Sequence, residues 1–524
     1  MKQIGFKNFR RFADFPAMDL APITIFVGEN NSGKSTVVKG ILALSDFLNT
    51  WRTDYDILIS ERGTKSQKKK QEILVDWLKN QKFYFNTSYL AHIGTFKRAI
   101  YNKAVNDTIT FKTSLGFMDI ELDVKGDKKD EEAVSGIISK IIVSYNSFGI
   151  RIIFDLQNDI SKTTFYPHPI YSSSDDNSIK SGLKKKIDGF FSSFSEPIDI
   201  ETRITDNLRL YNLELISNLI SSVEVAINAT INPEQTAKEE PTDIFGSVVP
   251  IGNLSDEKVS VIKRYIAEVS SRIAGVHRGP NMFSFPESQV YMRLFNIEYL
   301  YAHAVTQTVI YSAKDTNDYL SRTIHEYAST PSQDFKRSFV IKWMKEFGIG
   351  IDFTIRSVGG EAHIVYIKNK DGQEVNLADK GMGSIQLMVL LFRLAITLPN
   401  SIGSASLLRF GRIIIIEEPE QNLHPMLQSK LADLLYELNS EYGLRFIIET
   451  HSEYLIRKTQ VIVREKYKGN KKSLKDNPFK VYYFNSSSSD KPYYEIVYQR
   501  DGSFENDFGK GFFDEASNLA FEIL

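Results

Sequence analysis

The sequence predicts an α/β fold with a mixed sheet, an antiparallel β lobe and a helical insertion. Three observations predict it. An apolar strand ends in a glycine-rich turn that opens a helix, a second apolar strand ends in two carboxylates, and segments of alternating hydrophobicity lie between them. At 524 residues, the chain is long enough for one large, elaborated domain or for two to three ordinary ones.

The first part of the chain is predicted to span residues 1–160. Strands are expected at 3–9 and 23–27, and apolar side chains then recur at helical spacing over 34–48. Between 108 and 156 the pattern changes to alternation, in TITFKT, FMDIELDV, IISKIIVSY and GIRIIFDL. Alternation is typical of half-buried strands, so four antiparallel strands are expected there.

Residues 161–290 are predicted to form a mainly helical insertion. A stretch rich in Ser, Asp and Lys at 166–190 marks a boundary, and helical spacing follows over 206–232 and 256–275. Neither helical stretch sustains heptads, so no long coiled coil is expected.

The last part, residues 291–524, is predicted to continue the α/β pattern. A helix is expected after 336, a hairpin at 352–376 with Asp-Gly at its tip, and an apolar helix from about Ser384. Two strand–helix pairs and a tail of strands follow, at 412–418, 425–440, 445–450, from about Ser452, and 479–499.

Composition limits the chemistry more than it limits the partners. Lys and Arg number 64 and Asp and Glu 65, so the net charge of −1 argues neither for nor against a nucleic-acid partner. The absence of cysteine excludes disulfides, thiolate metal sites and cysteine nucleophiles, and it fits a reducing cytoplasm. The most apolar stretch, Leu387–Leu398, contains Arg393 and is shorter than the about 20 residues that a bilayer requires. We therefore expect a cytoplasmic protein without a membrane partner.

The glycine-rich turn, GENNSGKS at 28–35, is a complete Walker A motif between a strand and a helix. Glycines let backbone N–H groups turn toward phosphates, and the helix N-terminus adds its positive dipole. The lysine of this motif reaches the β- and γ-phosphates, and the serine hydroxyl binds magnesium. The motif therefore predicts a site for ATP and Mg²⁺, and the alternative is a chance glycine turn. The predicted nucleotide-binding residues are Gly28, Asn30, Asn31, Ser32, Gly33, Lys34, Ser35 and Thr36, with Ser35 also a magnesium ligand.

The apolar strand Ile413–Ile416 ends in Glu417 and Glu418, which is the pattern of a Walker B motif. Four aliphatic residues suit a strand that is buried on both faces. The end of this strand is predicted to deliver Glu417 toward magnesium and Glu418 toward the attacking water, whose proton a carboxylate can accept. The alternative is a strand followed by an ordinary acidic turn.

The order of these motifs resembles the ABC-type P-loop ATPase heads of the SMC, DNA-repair and OLD group. More closely, the chain resembles compact ATPases of bacterial anti-phage defence systems, of the Septu type (PtuA-like). The segments that carry the likeness are NFRRF at 8–12, HIGTFKRAIYN at 92–102, HRGP at 277–280, NLADKGMGSIQ at 376–386, EEPEQNLHP at 417–425, ETHS at 449–452 and GFFDE at 511–515.

The resemblance implies a head that works in pairs, as a homodimer or higher oligomer that sandwiches nucleotide. His451 would contact the γ-phosphate and orient the water. Gly381–Gln386 would correspond to the signature motif, in which Gly383 and Ser384 offer backbone groups to nucleotide on the partner subunit. An ordinary helix N-cap is the alternative for this segment. Asn422–Pro425 would correspond to the D-loop, which crosses to the partner.

The chain departs from the family pattern at three places. Glu417 stands where most relatives have Asp, and Gly381 stands where a serine is customary. No glutamine occupies an obvious Q-loop position, and His92 is a candidate near that segment. Slow or partner-dependent hydrolysis is therefore expected.

The resemblance implies a sensor or regulatory ATPase of a bacterial antiviral defence system, which controls a separate nuclease or toxin. No acidic E…D-x-D pattern follows His451, so no nuclease activity of its own is expected. The alternative is a DNA-repair or chromosome-organising ATPase that binds DNA directly, which the missing coiled coil disfavours. A transporter subunit is disfavoured by the insertion and the NFRRF opening.

Basic segments leave a nucleic-acid partner open. Lysine runs at 65–70, 183–186 and 468–475 are of the kind that contacts phosphate backbones, as are Arg10 and Arg11. A solvated surface is the commoner role of such segments.

Overall fold

The structure of the protein is a computed structural model. The predicted helical stretches at 206–232 and 256–275, HRGP at 277–280 and the lysine runs at 65–70 and 183–186 lie outside the described residues. The residues that the structure describes are 1–60, 76–87, 92–115, 119–126, 132–145, 150–166, 198–204, 297–300, 308–312, 314–315, 318–330, 334–398, 412–468, 473–485, 491–509 and 511–523.

Strands and helices alternate along the described residues. The strands are β1 (Gln3–Phe9), β2 (Phe12–Asp19), β3 (Ile23–Gly28), β4 (Lys82–Tyr84), β5 (Thr108–Ser114), β6 (Asp119–Lys125), β7 (Ser135–Tyr145), β8 (Ile150–Asp155), β9 (Ile160–Phe165), β10 (Ile198–Arg203), β11 (Ile297–Leu300), β12 (Tyr311–Ser312), β13 (Asp352–Val358), β14 (Ala362–Lys368), β15 (Glu374–Asn376), β16 (Ile413–Glu417), β17 (Arg445–Glu449), β18 (Phe479–Phe484) and β19 (Tyr493–Ile496). The α-helices are α1 (Lys34–Ser60), α2 (Phe96–Ala99), α3 (Tyr319–Ser329), α4 (Asp334–Glu346), α5 (Met382–Thr397), α6 (Pro425–Tyr442), α7 (Glu453–Tyr467) and α8 (Glu515–Ile523).

By its internal contacts the chain divides into two compact units. The first comprises Met1–Asp19 and Lys39–Phe295, and the second comprises Leu20–Val38 and Asn296–Leu524. The three-part division of the chain at 160 and 290 remains a prediction.

The first unit is built on an antiparallel sheet. Its strand order is β10-β9-β8-β7-β6-β5-β1-β2, and β4 pairs with β7. Strands β5 to β8 confirm the four strands predicted between 108 and 156, and side chains along β6 alternate between buried and part-exposed. Strand β2 was not predicted. It pairs with β1 through a tight turn at Arg10 and Arg11, where Phe9 lies opposite Phe12 and Arg10 adopts a φ of 51°.

The second unit is built on a mixed sheet of order β11-β16-β17-β3-β18-β19. Its first five strands are parallel, and β19 runs antiparallel to β18. Four isoleucines of β16 are buried, as a strand covered on both faces requires. The predicted α/β fold, with a mixed sheet and an antiparallel sheet, is thereby confirmed. Because β3, β16 and β17 are parallel, their carboxyl ends meet at one edge, where ligands bind in open α/β sheets.

The predicted hairpin at 352–376 is wrong in its topology. The segment forms three strands, and β13 turns into β14 through Gly359 and Gly360, whose φ values are 59° and 75°. The Asp-Gly sequence, with Gly372 at a φ of 86°, turns β14 into β15 instead. Glycine enters this left-handed region without the steric cost that other residues meet, so the Gly-Gly pair was the stronger turn signal.

Helix α5 is the apolar helix predicted from about Ser384, and it begins two residues earlier at Met382. Arg393 interrupts its apolar sequence, and its guanidinium is compensated by two carboxylates. The Arg393 Nε donates to Glu298 at 2.5 Å, and a second nitrogen pairs with Glu326. Buried arginine is tolerated when it is paired in this way.

The ends of α6 and α7 show why these helices start where predicted. His424 caps α6, Pro425 occupies its first turn, and Gly443 ends it with a φ of 67°. Ser452 caps α7, because its hydroxyl accepts the Leu455 N–H at 3.1 Å. None of the described helices is both long enough and apolar enough to cross a membrane.

Candidate functional site

The turn after β3 is shaped by glycine. β3 is buried throughout and lies between β17 and β18. Gly28 has a φ of 129°, and a Cβ added there would lie 2.2 Å from the Phe484 carbonyl oxygen of β18. Gly33 has a φ of 110° and directly precedes α1. Glycine is therefore required at 28 both by backbone conformation and by the neighbouring strand.

Lys34 lies inside this turn. Its side chain is 3 % exposed, and its Nζ donates to the carbonyl oxygens of Gly28 at 3.1 Å and Glu29 at 2.9 Å. Burial lowers the pKa of Lys34, and nearby carboxylates oppose that shift, Glu449 first among them. The turn thus holds an ammonium group beside the N-terminus of α1, an arrangement that favours anions.

The other predicted loop residues lie in the same turn. Asn30 and Asn31 are exposed, and Asn31 adopts a φ of 58°. Ser32 is buried, and its Oγ has no hydrogen-bond partner among the described residues. The Thr36 N–H donates to the Gly33 carbonyl at 3.0 Å, which starts the helix. An orphaned hydroxyl and a buried ammonium next to a helix N-terminus fit the phosphates of a nucleotide.

Two carboxylates lie side by side at the ends of β16 and β17. Glu417 and Glu449 are paired in register on these parallel strands. The Ser35 hydroxyl donates to Glu449 Oε1 at 2.9 Å. Burial, followed by the charge of Glu417, raises the pKa of Glu449 to about 7, against the Ser35 hydrogen bond and the charge of Lys34. Glu449 was not predicted as a site residue.

These oxygen groups fit a magnesium ion. Mg²⁺ prefers oxygen ligands and is usually bound through one or two carboxylates, substrate phosphates and waters. Ser35, Glu417 and Glu449 provide a hydroxyl and two carboxylates, and Glu449 Oε2 is buried without a hydrogen-bond partner in the described part of the chain. Across the described residues no group of three or more His, Asp or Glu could hold a metal alone. The arrangement therefore suits a cation that is shared with phosphates.

Glu418 occupies the turn that follows β16. Its backbone N–H donates to the Glu449 carbonyl at 2.7 Å, and its φ is 45°. One carboxylate oxygen accepts a hydrogen bond from the Gln421 amide. The other lies 4.0 Å from His451 Nε2, and the Glu418 side chain is 32 % exposed. The carboxylate is therefore held in place while solvent can still reach it.

His451 is positioned from behind by Glu420. Its backbone N–H donates to Glu420 Oε1 at 2.6 Å, and Glu420 is 8 % exposed. Burial, and then the charge of Lys34, lowers the pKa of His451, while Glu418 opposes the shift. A neutral imidazole is thereby favoured at neutral pH, with one nitrogen able to accept a hydrogen bond. Glu420 was not predicted, although it lies in the quoted EEPE segment.

Gly383 and Ser384 lie in the first turn of α5, after the N-cap Gly381. A Cβ added at Gly383 would lie 2.5 Å from the Asn422 carbonyl oxygen, whereas one at Gly381 would meet nothing within 4 Å. The Asn422 amide also donates to Gln386 at 3.3 Å. The start of α5 therefore packs directly on the turn that contains Asn422, which itself has a φ of 58°.

Gly383→Ala is expected to destabilise the protein, because the added methyl group would have to displace the backbone at Asn422. Overpacking of this kind costs about 1–3 kcal/mol. Gly381→Ser is the matched control, and its effect should be within about 0.5 kcal/mol because serine is as good an N-cap as glycine. Urea unfolding without nucleotide measures both. Equal midpoints for the two variants would show that the turn at Asn422 yields freely.

The remaining predicted residues lie elsewhere. His92 belongs to the first unit, where it is exposed and forms an isolated bridge with Asn86. Asp501 accepts hydrogen bonds from Ser503, and Asp514 accepts one from the Gly511 N–H. These two carboxylates therefore bind to their own turns.

A family model described as an AAA ATPase domain matches residues 1–456 of the chain. No curated protein matches it.

Solved structures of SMC heads are similar to the chain at low identity. The SMC head domain from Thermotoga maritima has 9% identity and a TM-score of 0.30, and the alignment covers 95% of this chain and 98% of that chain. The Smc head domain with an extended coiled coil, bound to the C-terminal domain of ScpA derived from Pyrococcus furiosus, has 11% identity, a TM-score of 0.31 and coverage of 100% and 98%. The SmcHead bound to the C-winged helix domain of ScpA has 10% identity, a TM-score of 0.33 and coverage of 95% and 98%.

Proposed function

The chain belongs to the AAA ATPase domain family, and from that premise we propose that it binds ATP with Mg²⁺ around Lys34 and hydrolyses it with Glu418 as the general base. The observation that supports this most is the convergence of the turn at 28–35 with the ends of β16 and β17. Three separate segments of the chain supply an ammonium group, oxygen ligands and a base at one edge of the sheet.

Binding falls to the turn and to the first residues of α1. Lys34 reaches the phosphates by exchanging its bonds to the Gly28 and Glu29 carbonyls, and backbone N–H groups of the turn provide further donors. Ser35 and Glu417 hold magnesium. The bound nucleotide and cation supply a phosphoryl group whose charge is neutralised for attack by water.

Glu418 accepts the proton of the attacking water at its carboxylate, which the Gln421 amide keeps in place. His451 lies 4.0 Å from Glu418 and orients the water through its neutral imidazole. Asp at the first carboxylate position is customary in the family that the sequence resembles. Glu417 replaces it with a side chain one methylene longer, and the register with Glu449 still brings it to the Ser35 side of the sheet.

The active form is proposed to be a homodimer or higher oligomer with nucleotide between subunits. Gly383 and Ser384 would approach the nucleotide of the partner subunit, as would the turn from Asn422. The packing of α5 on that turn supports this, because both elements would then move as one body. Met426, one residue into α6, is 63% exposed, as a residue that faces a partner would be.

The cellular role is proposed to be regulation of a separate effector, a nuclease or toxin, in cytoplasmic antiviral defence. This finer role is supported by the resemblance of the motifs to Septu-type ATPases. A DNA-repair or chromosome-organising ATPase that binds DNA directly is the alternative, and nucleic-acid binding by the purified chain would favour it.

The purified chain is expected to leave DNA and RNA intact with Mg²⁺ or Mn²⁺, with and without ATP. Two-metal cleavage requires carboxylates that hold ions roughly 4 Å apart, and the described tail carboxylates Asp501 and Asp514 are engaged in their own turns. Gel assays with labelled substrates measure this, and cleavage should appear on addition of the effector. Cutting by the isolated chain that is lost in Asp507→Asn or Asp514→Asn but kept in Glu418→Gln would reveal an intrinsic nuclease.

A further inference from the structure

Glu449 lies in the proposed nucleotide site although neither of the two motifs that predict the site contains it. Its side chain is 5 % exposed, and its Oε1 accepts the Ser35 hydroxyl at 2.9 Å. Its Oε2 is buried and has no hydrogen-bond partner among the described residues. A buried carboxylate oxygen without a partner is costly, which argues that the oxygen serves a ligand.

The direction of the hydrogen bond is informative. A serine hydroxyl has one proton to donate and two lone pairs. Because Ser35 gives its proton to Glu449, both lone pairs remain available to a cation, and the rotation of the hydroxyl is restricted. Groups that hold metal ligands in this way set their orientation and tune their affinity.

The register of the sheet places Glu449 beside the other carboxylate of the site. Glu449 is the Cα partner of Glu417 in the parallel pairing of β16 and β17. Paired residues on neighbouring parallel strands lie about 4.8 Å apart and project to the same face. Two carboxylates held at that spacing repel each other, and a divalent cation beside Ser35 would offset both charges.

We propose that Glu449 is a positioning residue of the magnesium site, which orients the Ser35 hydroxyl toward the cation and adds a second carboxylate charge beside Glu417. This inference rests on the proposed function, since it assumes that Mg²⁺ arrives with ATP at Ser35. It assigns a site role to the glutamate two residues before His451.

Titration of a fluorescent ATP analogue, in EDTA and then in increasing Mg²⁺, tests the proposal. The variants are Glu449→Ala and Glu449→Gln, with Glu453→Gln as the control because Glu453 pairs with Arg457 on α7. In Glu449→Ala the affinity in EDTA should stay at the wild-type value, while the Mg²⁺ concentration for half-maximal enhancement should rise about 10–100-fold. Glu449→Gln should show a smaller rise, because its amide oxygen still accepts the Ser35 proton but carries no charge. Mn²⁺ binding in the presence of nucleotide, followed by electron paramagnetic resonance, should weaken in the same order.

Wild-type Mg²⁺ dependence in both Glu449 variants would overturn the proposal. Thermal unfolding without nucleotide checks the fold. If Glu449→Ala does not fold, the nearly isosteric Glu449→Gln decides: a raised Mg²⁺ requirement supports the positioning role and a wild-type requirement refutes it. Failure of the wild-type chain to bind nucleotide in either condition would instead refute the proposed function.

Discussion

Lys34→Ala is expected to abolish ATP binding at micromolar nucleotide. The ammonium is the buried cation of the turn, and it already sits within hydrogen-bond distance of two loop carbonyls. Hydrogen bonds to charged groups contribute about 1.5–3 kcal/mol each, so the loss of two phosphate contacts should cost about 3 kcal/mol or more. That corresponds to at least about 100-fold in affinity. Isothermal titration calorimetry with ATP and Mg²⁺ measures it.

Lys345→Ala is the control, since Lys345 is exposed on α4 within the same unit. It should bind ATP like the wild-type chain. Thermal unfolding without nucleotide would separate lost binding from lost structure in Lys34→Ala. A folded Lys34→Ala variant with wild-type affinity would remove the turn at 28–35 from the nucleotide site.

Glu418→Gln is expected to bind ATP normally and to hydrolyse it about 10²–10⁴-fold more slowly, the usual range for loss of a general base. Its geometry should survive, because an amide oxygen at this position can still accept the hydrogen bond from Gln421. The amide cannot take the proton of water. Slow hydrolysis with intact binding should also accumulate ATP-bound oligomers, which size-exclusion chromatography with light scattering would detect.

Glu437→Gln controls for the loss of a carboxylate in the second unit, because Glu437 lies on α6 and pairs with Lys342. Phosphate release under saturating ATP compares the two. Turnover at the wild-type rate in Glu418→Gln would transfer the role of base to Glu417 or to another group.

Much of the second unit was predictable because its signals are local. An apolar run such as Ile413–Ile416 can be buried on both faces only as a central strand, and caps such as Ser452 mark helix starts. The predicted α/β fold and the strands around the Walker A turn follow from signals of this kind. The Gly359–Gly360 turn was equally local, and its left-handed backbone was the signal that went unused.

Glu449 and Glu420 could not be found in the same way. Each owes its position to a partner far along the chain: Ser35 is 414 residues from Glu449, and His451 is 31 residues from Glu420. Strand register decides which carboxylates become neighbours, and no motif of the sequence states it. Gly383 illustrates the same limit, because its lack of a side chain answers to Asn422 on another element.

The backbone at Glu418 carries a consequence for how this chain can change over generations. A φ of 45° is unfavourable for a residue with a side chain, and such conformations cost of order 1–3 kcal/mol. Glycine would relieve that strain, yet it would remove the carboxylate. Selection for heat resistance alone and selection for turnover therefore act in opposite directions at this single codon, and ancestry that kept glutamate there preserved chemistry at the expense of robustness.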